Sequence, residues 1–141
     1  MISMLKMVYE DSYLRMVYED NYQEFYELNP LPVYNIYSEE DVRDLYINNK
    51  VEITNNIFTA IKFMLKEHII EMPVFKLNIG GRLARISVVR DRIDILLKEC
   101  IVNYEETEDY ENCALAIKLI NDQLEENPNS FYNDTDNHVE T

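Results

Sequence analysis

The spacing of hydrophobic positions changes several times along this chain, and each change marks a different predicted element. The sharpest alternation lies in PVFKLNIGGRLARISVV, where Phe75, Leu77 and Ile79 alternate with Lys76 and Asn78. That is the period of a strand with one apolar face. Gly80-Gly81 supplies a two-residue turn able to take the positive φ angles of a tight hairpin. Such a turn pairs Ile79 with Arg82, Leu77 with Ala84 and Phe75 with Ile86. The apolar members of both arms then share one face, and Lys76 meets Arg85 on the other. A β-hairpin over about residues 73–89 is predicted.

Helical spacing appears on both sides of this hairpin. Ser38 followed by Glu39, Glu40 and Asp41 reads as a capped helix start, running to about Tyr46 before Asn48-Asn49. Ile57, Ile61, Met64, Leu65 and His68 predict a second helix from about Asn55 to Glu71, capped by Thr54 and ended by Pro73. After the hairpin, Ile93, Leu96, Leu97, Cys100, Ile101 and Tyr104 recur every three or four residues and predict a helix from about Arg90 to Tyr104. Tyr110, Cys113, Ile117, Ile120 and Leu124 repeat the pattern up to Asn127-Pro128. The short connection Glu105–Glu108, with Thr107 placed to cap the next helix, predicts an antiparallel helical hairpin.

The N-terminal quarter is less regular. Met7, Tyr13 and Val17 fit helical spacing only loosely, while Tyr9, Tyr18, Tyr22, Phe25 and Tyr26 spread rings around much of a helical wheel, which predicts either a helix over about Ser3–Leu28 or an arm that folds against something else. MVYEDSYLR is followed nine residues later by MVYEDNYQE. On a helix such a step turns the copies to opposite sides, and a single repeat cannot build a solenoid. NPLPVYNIY, Asn29 to Tyr37, stops any helix before Pro30 and reads as a linker or a strand-like segment. The fold class expected is α+β, mostly helical, with one β-hairpin followed by a C-terminal antiparallel helical hairpin. Its expected divisions are an N-terminal arm and Pro linker (1–37), a globular body (38–127) and an acidic polar tail (128–141).

Charge narrows the function. The 141 residues carry 27 acids against 13 bases, a formal −14, which repels duplex nucleic acid at long range. Six of the bases, Lys76, Arg82, Arg85, Arg90, Arg92 and Lys98, gather in one stretch, and the first five form a candidate patch for an anionic partner, or pair with the protein's own acids. No apolar run is long enough to cross a membrane, and the start MISMLKMVYEDSY turns charged too early for a signal peptide. Two cysteines make no disulfide scaffold, so an intracellular location such as a host cytoplasm, or a virion, is expected.

Candidate chemistry is sparse. Glu105, Glu106, Glu108 and Asp109 read as a solvated turn, where no apolar pocket would raise a carboxyl pKa. Cys113 falls on an apolar stripe with Cys100 shortly before the turn, which predicts packed reduced thiols, with a disulfide as the alternative. His68 and His138 lack zinc-ligand spacing, and NIGG lacks the Lys-Ser/Thr ending of a phosphate loop. No catalytic residue, metal or cofactor is expected, and the chain reads as a non-enzyme.

Three resemblances add expectations. EDYENCALAIKLINDQLEE, preceded by RIDILLKECI, resembles the UVR motif, the helical hairpin of the UvrB and UvrC repair proteins. Glu108, Asp109, Tyr110, Glu111, Cys113, Ala114 and Ile120 match it in order, while Ile117 and Lys118 stand near the place of the family's arginine-aspartate pair. The resemblance covers about a quarter of the chain and implies protein–protein contact. The richness in Asn, Ile and Tyr is similar in style to small proteins of tailed phages. NIGGRLARI resembles a segment of virus-encoded all-helical apoptosis regulators, but the chain has no Trp and its alternation favours strands. The expected function is an assembly or adaptor protein docking neighbouring subunits through Tyr9, Tyr13, Tyr18, Tyr22, Phe25, Tyr26, Tyr34 and Tyr37. The alternative is an acidic inhibitor or DNA mimic that binds a basic host protein.

Overall fold

A computed structural model describes residues 14–19 and 31–126. Two strands, β1 (Leu14–Tyr18) and β2 (Val33–Ile36), precede two helices, α1 (Glu39–Asn48) and α2 (Lys50–Glu67). Strands β3 (Glu71–Ile79) and β4 (Arg82–Val89) follow, then a 3-10 turn (Arg90–Arg92) and helices α3 (Ile93–Glu106) and α4 (Tyr110–Glu126). The chain divides into two compact units, residues 1–96 and residues 97–141.

In the first unit the strands form a mixed four-stranded sheet in the order β1-β4-β3-β2. The hairpin has the register its turn chemistry predicts: Ile79 lies opposite Arg82, Leu77 opposite Ala84, Phe75 opposite Ile86 and Lys76 opposite Arg85. Gly80 (φ 59°) and Gly81 (φ 92°) both take positive φ, and the Gly81 amide donates to Asn78 Oδ1 at 2.9 Å. Strands at this position exclude the all-helical reading of NIGGRLARI.

Cross-strand alternation then builds the core. Phe75, Leu77, Ala84, Ile86 and Val88 are buried on one face, joined by Leu14 of β1 and Ile36 of β2. Helix α2 packs over β3 and buries Ile57, Phe58, Ala60, Ile61 and Met64. Between β2 and β3, which run parallel, α1 and α2 form the crossover that parallel strands require.

Three expectations change. Residues 14–18 are a strand, not part of a helix, because Leu14, Met16 and Tyr18 alternate against Val88, Ile86 and Ala84; apart from Glu19, the other positions of the expected Ser3–Leu28 helix lie outside the described residues. Helix α2 begins at Lys50, with Asn49 as its N-cap, and Thr54 is a buried residue within it. It ends at His68, which takes the left-handed conformation (φ 59°), while Pro73 lies inside β3 beside a register shift between Pro73 and Phe75. A bulge is one of the few sheet positions that tolerate proline. Ser38 caps α1 as expected, accepting from the Asp41 amide.

In the second unit the C-terminal helix pair resembles a helical hairpin. Its turn is built differently from the expectation. Thr107 Oγ1 donates back to Asn103 O at 3.0 Å and so finishes α3, and Glu108 takes a positive φ of 60°. Asp109 is the side chain that caps α4, accepting from the Asn112 amide at 3.2 Å. Among the described residues no helix is long and apolar enough to cross a membrane.

Ile86 is fully buried at the sheet centre. Ile86→Ala is expected to cost about 2–5 kcal/mol, and Leu83→Ala, on a 36% exposed residue of the same strand, no more than about 0.5 kcal/mol. Urea unfolding monitored by circular dichroism measures both.

Candidate functional site

The register that buries the apolar face sets an ionic layer on the other. Lys76 and Arg85 are cross-strand partners of like charge, a pairing that repels unless an anion intervenes. Glu19, immediately after β1, supplies it: one carboxylate oxygen, Oε2, lies 2.9 Å from Lys76 Nζ and 3.2 Å from Arg85 Nη2. Arg85 keeps only 6% of its side-chain surface exposed and Glu19 26%, so solvent screens this cluster weakly. Farther along the same face, Arg15 pairs with Glu71 at 2.7 Å. At the other end of the sheet, Arg82 lies over the Tyr18 ring, 3.9 Å from its centroid.

The five bases of the candidate anionic-partner patch therefore do not form one surface. Lys76 and Arg85 share Glu19, Arg82 stacks on Tyr18, and Arg90 reaches the Met64 carbonyl at 3.4 Å. Arg92 is exposed in the 3-10 turn after β4. Beyond these, Lys118 pairs with Asp122, and Lys62 sits over the Phe58 ring.

The arm residues also separate. Tyr9, Tyr13, Tyr22, Phe25 and Tyr26 lie outside the described residues. Tyr18 is the ring under Arg82. Tyr34 turns inward, edge-on to Phe75 with ring centroids 5.7 Å apart. Burial, with the Glu52 carboxylate beside it, pushes its phenol pKa well above the ordinary value. Tyr37 faces outward at 65% exposure.

Tyr37 follows the strand that ends the sheet. Among the described residues, β2 has β3 as its one neighbour. The Lys76 amide donates to Pro32 O at 2.9 Å and the Gly80 amide to Ile36 O at 3.1 Å, so the even-numbered positions turn their backbone groups to β3. By strand alternation Val33, Asn35 and Tyr37 turn theirs away. Asp41 of α1 accepts the Tyr37 amide at 2.8 Å and closes the C-terminal end of this edge. Val33, 49% exposed, is a site residue that the aromatic count overlooked; the short alternation in VYNIY was the signal for it. Glu19 carried no local signal, since its role depends on two strands distant in sequence.

The thiols are free and buried. Burial, with the charge of Glu99 adding to it, pushes Cys100 from its ordinary 9.0 up to about 12. Burial and then Glu105 and Asp109 also raise Cys113. A thiol so raised carries almost no thiolate near neutrality and is a poor nucleophile. Glu105, Glu106 and Glu108 are exposed, in keeping with a solvated turn. Among the described residues there is no group of three or more His, Cys, Asp or Glu able to hold a metal ion.

Comparison with known proteins finds no matching family model, no matching curated protein and no matching solved structure.

Two predictions follow from the charges and thiols. Glu19→Gln leaves Lys76 and Arg85 opposed and is expected to cost about 1–3 kcal/mol in urea unfolding; Lys76→Met added to it should recover part of that loss. Between pH 9 and about 12 the folded state holds the Cys100 proton that the unfolded state has released, so stability falls as pH rises through that window. Cys100→Ala should reduce this alkaline slope, read as the urea midpoint against pH.

Proposed function

We propose that this chain is a non-enzymatic docking protein that takes an extended, basic segment of a neighbouring protein subunit along the outer edge of β2. The observation that carries this reading is the edge itself: β2 ends the described sheet, with Val33 and Tyr37 exposed at 49% and 65%. Addition of a strand to such an edge draws affinity from main-chain hydrogen bonds and specificity from alternate side chains. An exposed tyrosine is a strong anchor because it brings a large surface at small entropic cost.

Charge supports the choice of a basic segment. The net charge is −14, and α1, which starts just beyond β2, opens with Glu39, Glu40 and Asp41. Several of the described bases are already engaged inside the fold. The compositional likeness to small tailed-phage proteins supports reading the neighbour as a virion or virion-assembly subunit. The UVR-like C-terminal hairpin offers a second contact module in the same reading.

The excess of acid also supports a second reading, an acidic protein that occupies the nucleic-acid groove of a basic host protein. The two readings differ in where binding energy resides, at a strand edge or in distributed charge.

A linear peptide library displayed against the purified chain separates them. Edge docking is expected to enrich extended, β-branched peptides carrying Lys or Arg. Val33→Pro should abolish their binding, since it removes an outward-turned amide and leaves the pairing with β3 intact. Tyr37→Ala should weaken binding by about tenfold or more. If no linear peptide is enriched, or if binding survives Val33→Pro, edge docking fails. Binding instead to whole basic DNA-binding proteins, competed by duplex DNA and abolished by salt, would establish the second reading.

A further inference from the structure

The apolar stripe that predicts α4 is not the face that the fold buries. Tyr110, Cys113, Ile117, Ile120 and Leu124 recur at alternating steps of three and four, a heptad spacing that lines them along one side of a helix. Yet the buried positions of α4 are Cys113 and Ala116, with Cys113 Sγ 3.9 Å from the Ile101 carbonyl oxygen of α3. Tyr110 stays 64% exposed and Ile117 43%, while Ile120 and Leu124 are half-buried. At about 100° per residue, Ala116 falls on one side of Cys113, and Tyr110, Ile117 and Leu124 fall on the other. The buried strip is therefore displaced from the apolar stripe, and one margin of that stripe is left in solvent.

That margin carries no charge. Ala114 and Asn121 border it by helical spacing, and Glu111, Lys118, Asp122, Glu125 and Glu126 lie farther round the helix. Lys118 is in any case paired with Asp122 at 2.9 Å. In a chain of net charge −14 this selects the occupant. A basic segment finds no acid along the strip, and an acidic one finds no base. A second copy of the chain brings the same −14 and is repelled wherever acid meets acid, so it can approach on a strip that has none. The strip is also complementary to itself. Tyr110 and Leu124 each stand seven residues from Ile117. Two α4 helices set antiparallel about Ile117 thus bring Tyr110 against Leu124 of the second copy, Ala114 against its Ile120, and Ile117 against its own equivalent.

We infer that the Tyr110–Ile117–Leu124 strip of α4 is a self-association surface, which pairs antiparallel with the same strip of a second copy of this chain. Such a contact is two-fold symmetric and closes on itself, so it yields a dimer and no filament. The strip is short, and the dimer is accordingly weak and concentration-dependent. Its ends set a sign on the effect of salt. Asp109 and Glu125 each stand eight residues from Ile117, so the antiparallel pair brings acid toward acid at both ends. Added salt screens that repulsion and strengthens the dimer, whereas it weakens any contact with a basic partner. The inference does not rest on strand docking at β2, whose residues are different ones.

Sedimentation equilibrium of the full-length chain, over a concentration series from micromolar to millimolar, tests the inference. The unaltered chain should dimerise reversibly, and more tightly as sodium chloride is raised. Ile117→Glu sets two carboxylates against each other at the centre of the pair and should weaken association by about tenfold or more. Leu115→Glu changes a residue that is also partly exposed, at 39%, but on the other flank of α4, and should leave association unchanged. A chain that stays monomeric throughout the series overturns the inference. So does a dimer that Ile117→Glu leaves intact, one that Leu115→Glu weakens equally, or one that salt dissociates.

A charge-swap pair separates this from mere loss of folding. Ile117→Lys, like Ile117→Glu, should be monomeric on its own, because each sets like charges at the two-fold axis. Mixed in equal amounts, the two variants should form a heterodimer, since Lys and Glu then face each other across that axis. A destabilised hairpin would not recover on mixing. If the mixture stays monomeric, residue 117 does not meet its own equivalent and the antiparallel pairing is wrong.

Discussion

The pairing of β3 with β4 is the constraint from which the rest of the sheet follows. A two-residue turn at Gly80-Gly81 fixes the partner of each residue in both strands, and the glycines are suited to it because both positions take positive φ. That register brings Phe75, Leu77, Ala84, Ile86 and Val88 onto one face, where burial of apolar surface is the main stabilising contribution. The same register forces Lys76 against Arg85 on the opposite face. Strand β1 answers both consequences: Leu14 extends the apolar face, and Glu19 neutralises the two cations.

The two edges of the sheet consequently have different characters. The β4 side is covered by a strand held through ion pairs and a cation–aromatic stack as well as backbone bonds. On the β3 side, four residues of β2 form the end of the described sheet, and Asp41 satisfies the Tyr37 amide at its terminus. Charged residues and short edge strands are common ways of limiting uncontrolled pairing. Here the charges concentrate on the covered side, while exposed Val33 and Tyr37 flank the open one. The basic residues that composition singles out serve largely to hold the fold together, and the buried thiols are shifted away from reactivity.

Much of the local structure was legible from residue spacing. The hairpin register, the Ser38 cap, the extended character of Val33–Ile36 and the two C-terminal helices rest on contacts within a few residues or on a short turn. Local errors arose where two residues competed for one role. Thr107 and Asp109 both suit an N-cap, and the left-handed residue between them assigns Thr107 to the end of α3 and Asp109 to the start of α4. Thr54 suited a cap as well, but α2 starts a turn earlier at Lys50.

The amino-acid sequence by itself determined the alternation of β3 and β4, the amphipathic faces of α2 and α3, the excess of acid and the duplicated Met-Val-Tyr-Glu-Asp segment. Tertiary structure alone decided that residues 14–18 are a strand, since Tyr and Met side chains suit either a helix or a sheet and the deciding partner, β4, lies some seventy residues away. It decided that Lys76, Arg82, Arg85 and Arg90 do not make one patch, because Lys76 and Arg85 share Glu19 while strand alternation and the chain path send Arg82 to Tyr18 and Arg90 to the Met64 carbonyl. It also decided that Tyr34 turns inward and Tyr37 outward. Periodicity records which residues share a face; which neighbour covers that face is set by long-range pairing, whose energy no local window of sequence contains.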